Sequence, residues 1–183
     1  DRAVAAGIVV IASAGNYGKT KDGQIVFGGI TAPANSPNVL TVGALDAKYT
    51  PVRTDDEVAA YSSRGPTLYD SVLKPDLVAP GSHVVSAEAP GSYLATTYPE
   101  RHVAGAGTNG YIQLSGTSMA AAVVSGTAAL LLQERPHLSP DEAKVTLRAT
   151  SSMLPGEGLV VSRSEEHTSE LQSHSFISYA VFC

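Results

Sequence analysis

Gly116-Thr117-Ser118-Met119-Ala120-Ala121-Ala122-Val123-Val124-Ser125-Gly126-Thr127-Ala128-Ala129-Leu130-Leu131-Leu132-Gln133-Glu134 carries no charge between Ser118 and Gln133. Small and branched apolar residues fill it, and Pro136 follows. That pattern predicts a helix over 118–134, buried on most sides and ended by the proline. Downstream, Ser139-Pro140-Asp141-Glu142 supplies an N-cap, a proline at the first position and two acids in the first turn. A second helix is expected to run from there to about Ala149. Upstream lie short β-branched runs. Gly7–Ala12 and Val39–Ala44 read as strands buried on both faces, as in a parallel sheet. Leu77–Ala79 and Val84–Ala87 bracket the turn Pro80-Gly81-Ser82, and Tyr111–Leu114 is a further strand. Arg2–Ala6 reads as a last helical turn stopped by Gly7. Thr31–Asn38 reads as a loop, and 91–110 as an excursion or hairpin. Strands followed by helices favour an α/β layer architecture with a mostly parallel sheet.

Composition bounds the function. The chain has 183 residues, 12 basic against 17 acidic, for a net charge of −5. It fits one globular domain, and no basic footprint for nucleic acid is expected. No run reaches the roughly 18 apolar residues of a membrane span. The lone cysteine, Cys183, allows neither an intrachain disulfide nor a cysteine zinc cage. The opening Asp1-Arg2 has neither a methionine nor a leader, and suggests a piece of a longer protein. Residues 1–162 are taken as the domain body. Arg163–Ser173 resembles the translation of a sequencing-adapter oligonucleotide, so 163–183 is expected to be a non-native tail without fixed structure.

Two short motifs carry chemistry. Ser118 stands at a helix start, where backbone N–H groups are unpaired and the dipole is positive. That environment suits a nucleophile whose attack builds an oxyanion, although it equally suits a plain N-cap. Asn16 follows a buried strand in Ser13-Ala14-Gly15-Asn16, at the strand end where parallel sheets place ligands. A turn asparagine would look the same.

Five ordered motifs shift the balance toward the chemical reading. Val10-Ile11-Ala12-Ser13-Ala14-Gly15-Asn16, Ser36–Ala44, Tyr61-Ser62-Ser63-Arg64-Gly65-Pro66, Lys74–Gly81 and Gly116-Thr117-Ser118-Met119-Ala120 resemble the subtilisin-like serine peptidases. The resemblance runs from about residue 3 to 160. It implies a partial subtilisin-like three-layer fold. Ser118 would be the nucleophile, and Asn16 would share the oxyanion hole with the Ser118 N–H. Ser13, Ala14 and Gly15 would form one wall of the specificity pocket, with Thr31 near its floor and Ala32-Pro33 cis. Asp76 would be structural. The substrate would be an extended peptide, with mainly apolar preference. No cofactor would be required, and the family expectation is an extracellular or cell-envelope location. Calcium is a family possibility with no ligand set identified: Asp55-Asp56-Glu57 and Asp141-Glu142 read as solvated acids.

The family's triad acid and base sit in Asp-Ser/Thr-Gly and His-Gly-Thr-His segments, which this sequence lacks. None of His83, His102, His137, His167 and His174 has a matching context. The resemblance therefore implies the C-terminal half to two-thirds of a peptidase domain, inactive and sticky alone, whose N-terminal part supplies the triad and the central strands. Ala122 stands where the family usually has proline. Gly105–Gly110 lacks the lysine of a phosphate loop. Two alternatives stay open. One is a non-catalytic peptide-binding homologue. The other is an α/β esterase, although the second glycine of its Gly-x-Ser-x-Gly elbow is missing.

Overall fold

The computed structural model describes residues 1–105, 110–154 and 178–179, apart from the side chains of Arg53, Met153, Ser178 and Tyr179. A short helix α1 (Arg2–Ala5) precedes β1 (Ile11–Ser13), β2 (Leu40–Asp46), β3 (Glu57–Val58), β4 (Leu77–Pro80) and β5 (Val84–Ala87). Then come α2 (Tyr93–Thr97), β6 (His102–Ala104), β7 (Gly110–Leu114), α3 (Thr117–Glu134), α4 (Pro140–Ala149), β8 (Ser152–Met153) and β9 (Ser178–Tyr179). The main sheet runs β1-β2-β4-β9-β8. β1 lies parallel to β2 (Ile11 opposite Leu40) and β2 parallel to β4 (Val42 opposite Leu77). β9 continues parallel to β4, while β3 and β8 add antiparallel pairs. The mostly parallel α/β sheet is as the sequence implies. A separate antiparallel sheet, β5-β7-β6, stands beside it.

β2 is buried on both faces. Leu40, Val42 and Ala44 pack with Leu77 and Ala79 of β4 against Ala120, Val124 and Ala128 of α3 and Leu147 of α4. On the other side of the strand, Leu45 packs with Val58, Val78 and Leu154. Dry contact of this kind is the main stabilising term for the layer.

Three details differ from the sequence reading. The first strand starts at Ile11 rather than Gly7, and Ile8 is exposed. The excursion at 91–110 contains helix α2, capped by the Ser92 side chain, which accepts from the Ala95 N–H. α3 is buried along one stripe only, Thr117, Ala120, Val124, Thr127 and Ala128, while Val123 and Leu130 face outward. Among the described residues no element covers that second face, which is why an all-round apolar helix is only half buried. The expectation for 163–183 falls outside the described residues except at β9, whose backbone pairs with Val78 and with β8.

A buried ionic knot ties α4 to the sheet. Lys74 sits between β3 and β4 with its side chain only 1% exposed. Its ammonium donates to the Val39 carbonyl at 2.7 Å and to Asp76 Oδ2 at 2.6 Å. Asp76 Oδ2 also accepts from the Thr41 N–H at 2.8 Å. Its Oδ1 meets Lys144 of α4 at 3.1 Å. Asp76 is thus structural, as the motif implied. Burial pushes the Lys74 ammonium down to about 8, against the upward pull of Asp76.

Candidate functional site

β1 ends at Ser13, and the Ala14 N–H still reaches the Val42 carbonyl at 2.9 Å. Asn16 therefore emerges just beyond the carboxyl end of a parallel strand. α3 begins close by, because the Gly116 N–H donates to the Gly81 carbonyl at 2.8 Å, just past β4. A clasp joins the two ends. Asn16 Oδ1 accepts from the Thr117 N–H at 3.0 Å and from the Thr117 hydroxyl at 2.9 Å. The Gly15 N–H donates to that same hydroxyl oxygen at 3.2 Å. A backbone N–H can only donate, so the amide oxygen must be the atom that faces Thr117, and Nδ2 lies beside Gly116, 3.4 Å from where a Cβ on that glycine would stand. Asn16 Nδ2 has no acceptor among the described residues. Ser118 is exposed on the first turn of α3. Met119 and Ala120 both donate to the Gly116 carbonyl, and the Ser118 N–H has no acceptor among the described residues. Two donors and one hydroxyl thus stand at adjacent positions of one clasp. Sequence reasoning missed Thr117, the residue that holds it; a hydroxyl at the first helical position was the available signal.

The wall residues are also placed. Ser13 is half-buried and Ala14 fully buried, packed with Ala12, Ile30, Ala34 and Val39. The Ala14 methyl therefore belongs to the core, and only its backbone is left for a wall. Gly15 has φ +106°, and a Cβ there would lie 2.9 Å from Ser63 Oγ and 3.1 Å from Thr31 Oγ1. Thr31 is exposed, and its N–H donates to the Ala14 carbonyl at 3.2 Å. Ala32-Pro33 is cis as expected, and so are Gly65-Pro66 and Lys74-Pro75, which the sequence reading did not single out. Gly15→Ala combines a left-handed backbone with a clash. It is expected to cost about 1–3 kcal/mol in urea unfolding, because strain and overpacking add. An unchanged midpoint would contradict this geometry.

No histidine reaches Ser118 among the described residues. The His83 ring lies 4.9 Å from the Tyr49 ring, and the His83 backbone N–H donates to Ser115 Oγ at 2.9 Å. His102 pairs with Glu88 at 3.0 Å. Among the described residues no three His, Cys, Asp or Glu side chains converge as a metal cage. Asp55 accepts from the Thr50 hydroxyl at 3.0 Å, and Glu142 closes a capping box with Ser139. Residues 106–109 of the glycine-rich loop lie outside the described residues. No described helix is long and apolar enough to cross a membrane.

The comparisons with known proteins agree with one another. The sequence model of the Subtilase family matches residues 1–174. Serine protease AprX of Bacillus subtilis (strain 168) is 44% identical over 148 residues, covering 81% of this chain and 31% of AprX. Subtilisin DY of Bacillus licheniformis is 34% identical over 165 residues, covering 87% of this chain and 47% of that protein. The solved structure of sphericase superposes with a TM-score of 0.58 at 30% identity, covering 81% of this chain and 41% of that one. Fervidolysin from Fervidobacterium pennivorans, described as a keratinolytic enzyme related to subtilisin, gives a TM-score of 0.59 at 30% identity. It covers 84% of this chain and 20% of that one. The chain thus spans less than half the length of these relatives.

Proposed function

We propose, since this chain belongs to the subtilase family of serine proteases, that it carries the nucleophile and oxyanion part of a serine endopeptidase site. The observation that carries the reading is the Asn16–Thr117 clasp. It holds Asn16 against Thr117, the residue before Ser118, and leaves Asn16 Nδ2 and the Ser118 N–H without acceptors among the described residues.

In the mechanism, Ser118 Oγ attacks the carbonyl of an extended peptide. The developing oxyanion accepts from the Ser118 N–H and Asn16 Nδ2, with the positive end of α3 behind them. The amine leaves, and water then hydrolyses the acyl ester on Ser118. A serine hydroxyl needs a base to take its proton, and no histidine among the described residues is placed to do so. The base and its orienting acid come from the remainder of the parent protein, the longer polypeptide that this chain represents in part. By itself the chain is therefore an inefficient catalyst. The parent works outside the cell or in the envelope, on peptide or protein substrates.

Asn16→Asp tests the clasp directly. The carboxylate keeps the acceptor for Thr117 but removes the outward donor and adds a negative charge beside the oxyanion. In the parent protein, kcat is expected to fall about 10²–10³-fold with KM little changed. That magnitude belongs to the asparagine of subtilisin, a member of the same family, and is carried over. A kcat within threefold of the unsubstituted parent would contradict Asn16 as an oxyanion donor.

A further inference from the structure

The proposed mechanism leaves one hydroxyl behind the clasp unused. Tyr61, in the loop between β3 and β4, is half-buried, and its ring packs against the cluster shared by β2, β4 and α3. The hydroxyl donates to the Gly81 carbonyl at 2.9 Å and lies 3.0 Å from Ser82 Oγ. A tyrosine has one proton to give, so Ser82 is the donor in the second bond. Burial raises the hydroxyl above its ordinary 10, against the Ser82 hydroxyl and the Gly116 N–H, which lower it. Tyr61 is thus a donor throughout the neutral range.

Gly81 is where sheet and helix meet. Its N–H donates to the Leu45 carbonyl of β2 at 3.1 Å, and its carbonyl accepts from the Gly116 N–H at 2.8 Å. A Cβ there would lie 2.7 Å from Ala44 Cβ, 3.0 Å from the Gly116 oxygen and 3.2 Å from Ala120 Cβ. Only a residue without a side chain permits that approach. Gly116 in turn stands beside Asn16 Nδ2 and two residues before Ser118. The turn is fixed on its far side as well. His83 has φ +58°, and its backbone N–H donates to Ser115 Oγ. A side-chain-bearing residue in that region persists where its surroundings over-determine it.

We infer that Tyr61 is a positioning residue for the Ser118 site. Its hydroxyl fixes the Gly81 carbonyl, that carbonyl fixes Gly116, and Gly116 sets the start of α3 and the Ser118 N–H against Asn16. The role rests on the reading of Ser118 as the nucleophile. An aromatic ring without the hydroxyl would fill the same space and leave the carbonyl free to tilt.

Tyr61→Phe in the parent protein tests this. It removes one oxygen and leaves the Gly81 carbonyl bonded to Gly116, so the unfolding midpoint should stay in place. Two substrates are compared: an octapeptide, with residues on both sides of the scissile bond, and a peptide p-nitroanilide, with no amino acid beyond it. The oxyanion forms on both, so kcat is expected to fall about three- to tenfold on both, with KM kept within about twofold. Ser82→Ala keeps the Gly81 bond and should leave kcat within about twofold. An unchanged kcat in Tyr61→Phe, or an equal loss in Ser82→Ala, would overturn the positioning role. So would a loss confined to the octapeptide, which marks direct contact with the departing half of the substrate. A parent that hydrolyses neither substrate, or that keeps its rate as Ser118→Ala, would overturn the nucleophile reading and this role with it.

Discussion

Ser118→Ala in the parent protein is expected to lower kcat for peptide hydrolysis by at least about 10⁴-fold. This magnitude, too, is carried over from subtilisin. The argument from this structure concerns which serine is affected. Ser115 Oγ accepts from the His83 N–H, and Ser125 Oγ donates to the Ala121 carbonyl at 2.7 Å. Ser62 is buried and serves the Ala44 N–H, and Ser63 serves the Tyr17 N–H. Ser118 differs from these. It is exposed, lies on the first turn of α3, and has no side-chain partner among the described residues. Ser115→Ala and Ser125→Ala should therefore leave kcat within a fewfold. Equal losses at Ser115 and Ser118 would mean that the structure, rather than the nucleophile, had been damaged. Because Ser118 is a surface residue, its replacement should leave the unfolding midpoint in place, which separates the two explanations.

Asp76→Asn is the second large effect, and it acts on stability. The carboxylate faces the Lys74 ammonium at 2.6 Å and the Lys144 ammonium at 3.1 Å, and is itself 5% exposed. Removing its charge leaves two ammonium groups sharing the Val39 carbonyl, at 2.7 and 3.0 Å, with no counter-ion between them. Breaking a buried pair from one side costs about 3–5 kcal/mol. The deficit should depend on pH with a definite sign. Burial already holds Lys74 at about 8, below its ordinary 10.5. Losing Asp76 depresses it further. Below pH 8 the variant must either bury an unpaired ammonium or fold with Lys74 deprotonated, and the deficit is largest. As pH rises through 8 toward 10.5, Lys74 gives up its proton in the native protein and the deficit narrows. Urea unfolding at pH 7 and pH 9.5 reads this out. A deficit under about 1 kcal/mol at pH 7, the range of exposed pairs, or one that widens with pH, would contradict the knot.

How much of this was legible in the sequence follows from what each feature depends on. Local chemistry was readable. The Ser139-Pro140-Asp141-Glu142 start of α4 is present as a full capping box. The apolar runs mark β2 and β4, because strands buried on both faces have no polar alternation to obscure them. Short-range geometry was partly readable. The order of the five motifs placed Asn16 and Ser118 in one family pattern, but the bond that unites them spans 101 residues and runs through Thr117, which no local rule selects. Long-range geometry was not readable. Nothing in the spacing of Lys74, Asp76 and Lys144 announces that three charges meet beside Val39. The half-covered state of α3 was missed for a related reason. An all-round apolar helix records what its faces are suited to, and among the described residues only one face is met by the sheet.

The central claim is that Ser118 is the acyl-accepting nucleophile and that its base lies outside this chain. One measurement addresses both parts: labelling with a fluorophosphonate probe, followed by peptide mass spectrometry, on the parent protein and on the isolated chain. The account predicts a single adduct on Ser118 of the parent and none on the isolated chain at the same probe concentration. An adduct on any other serine of a parent that hydrolyses peptides, or rapid labelling of Ser118 in the isolated chain, would contradict it.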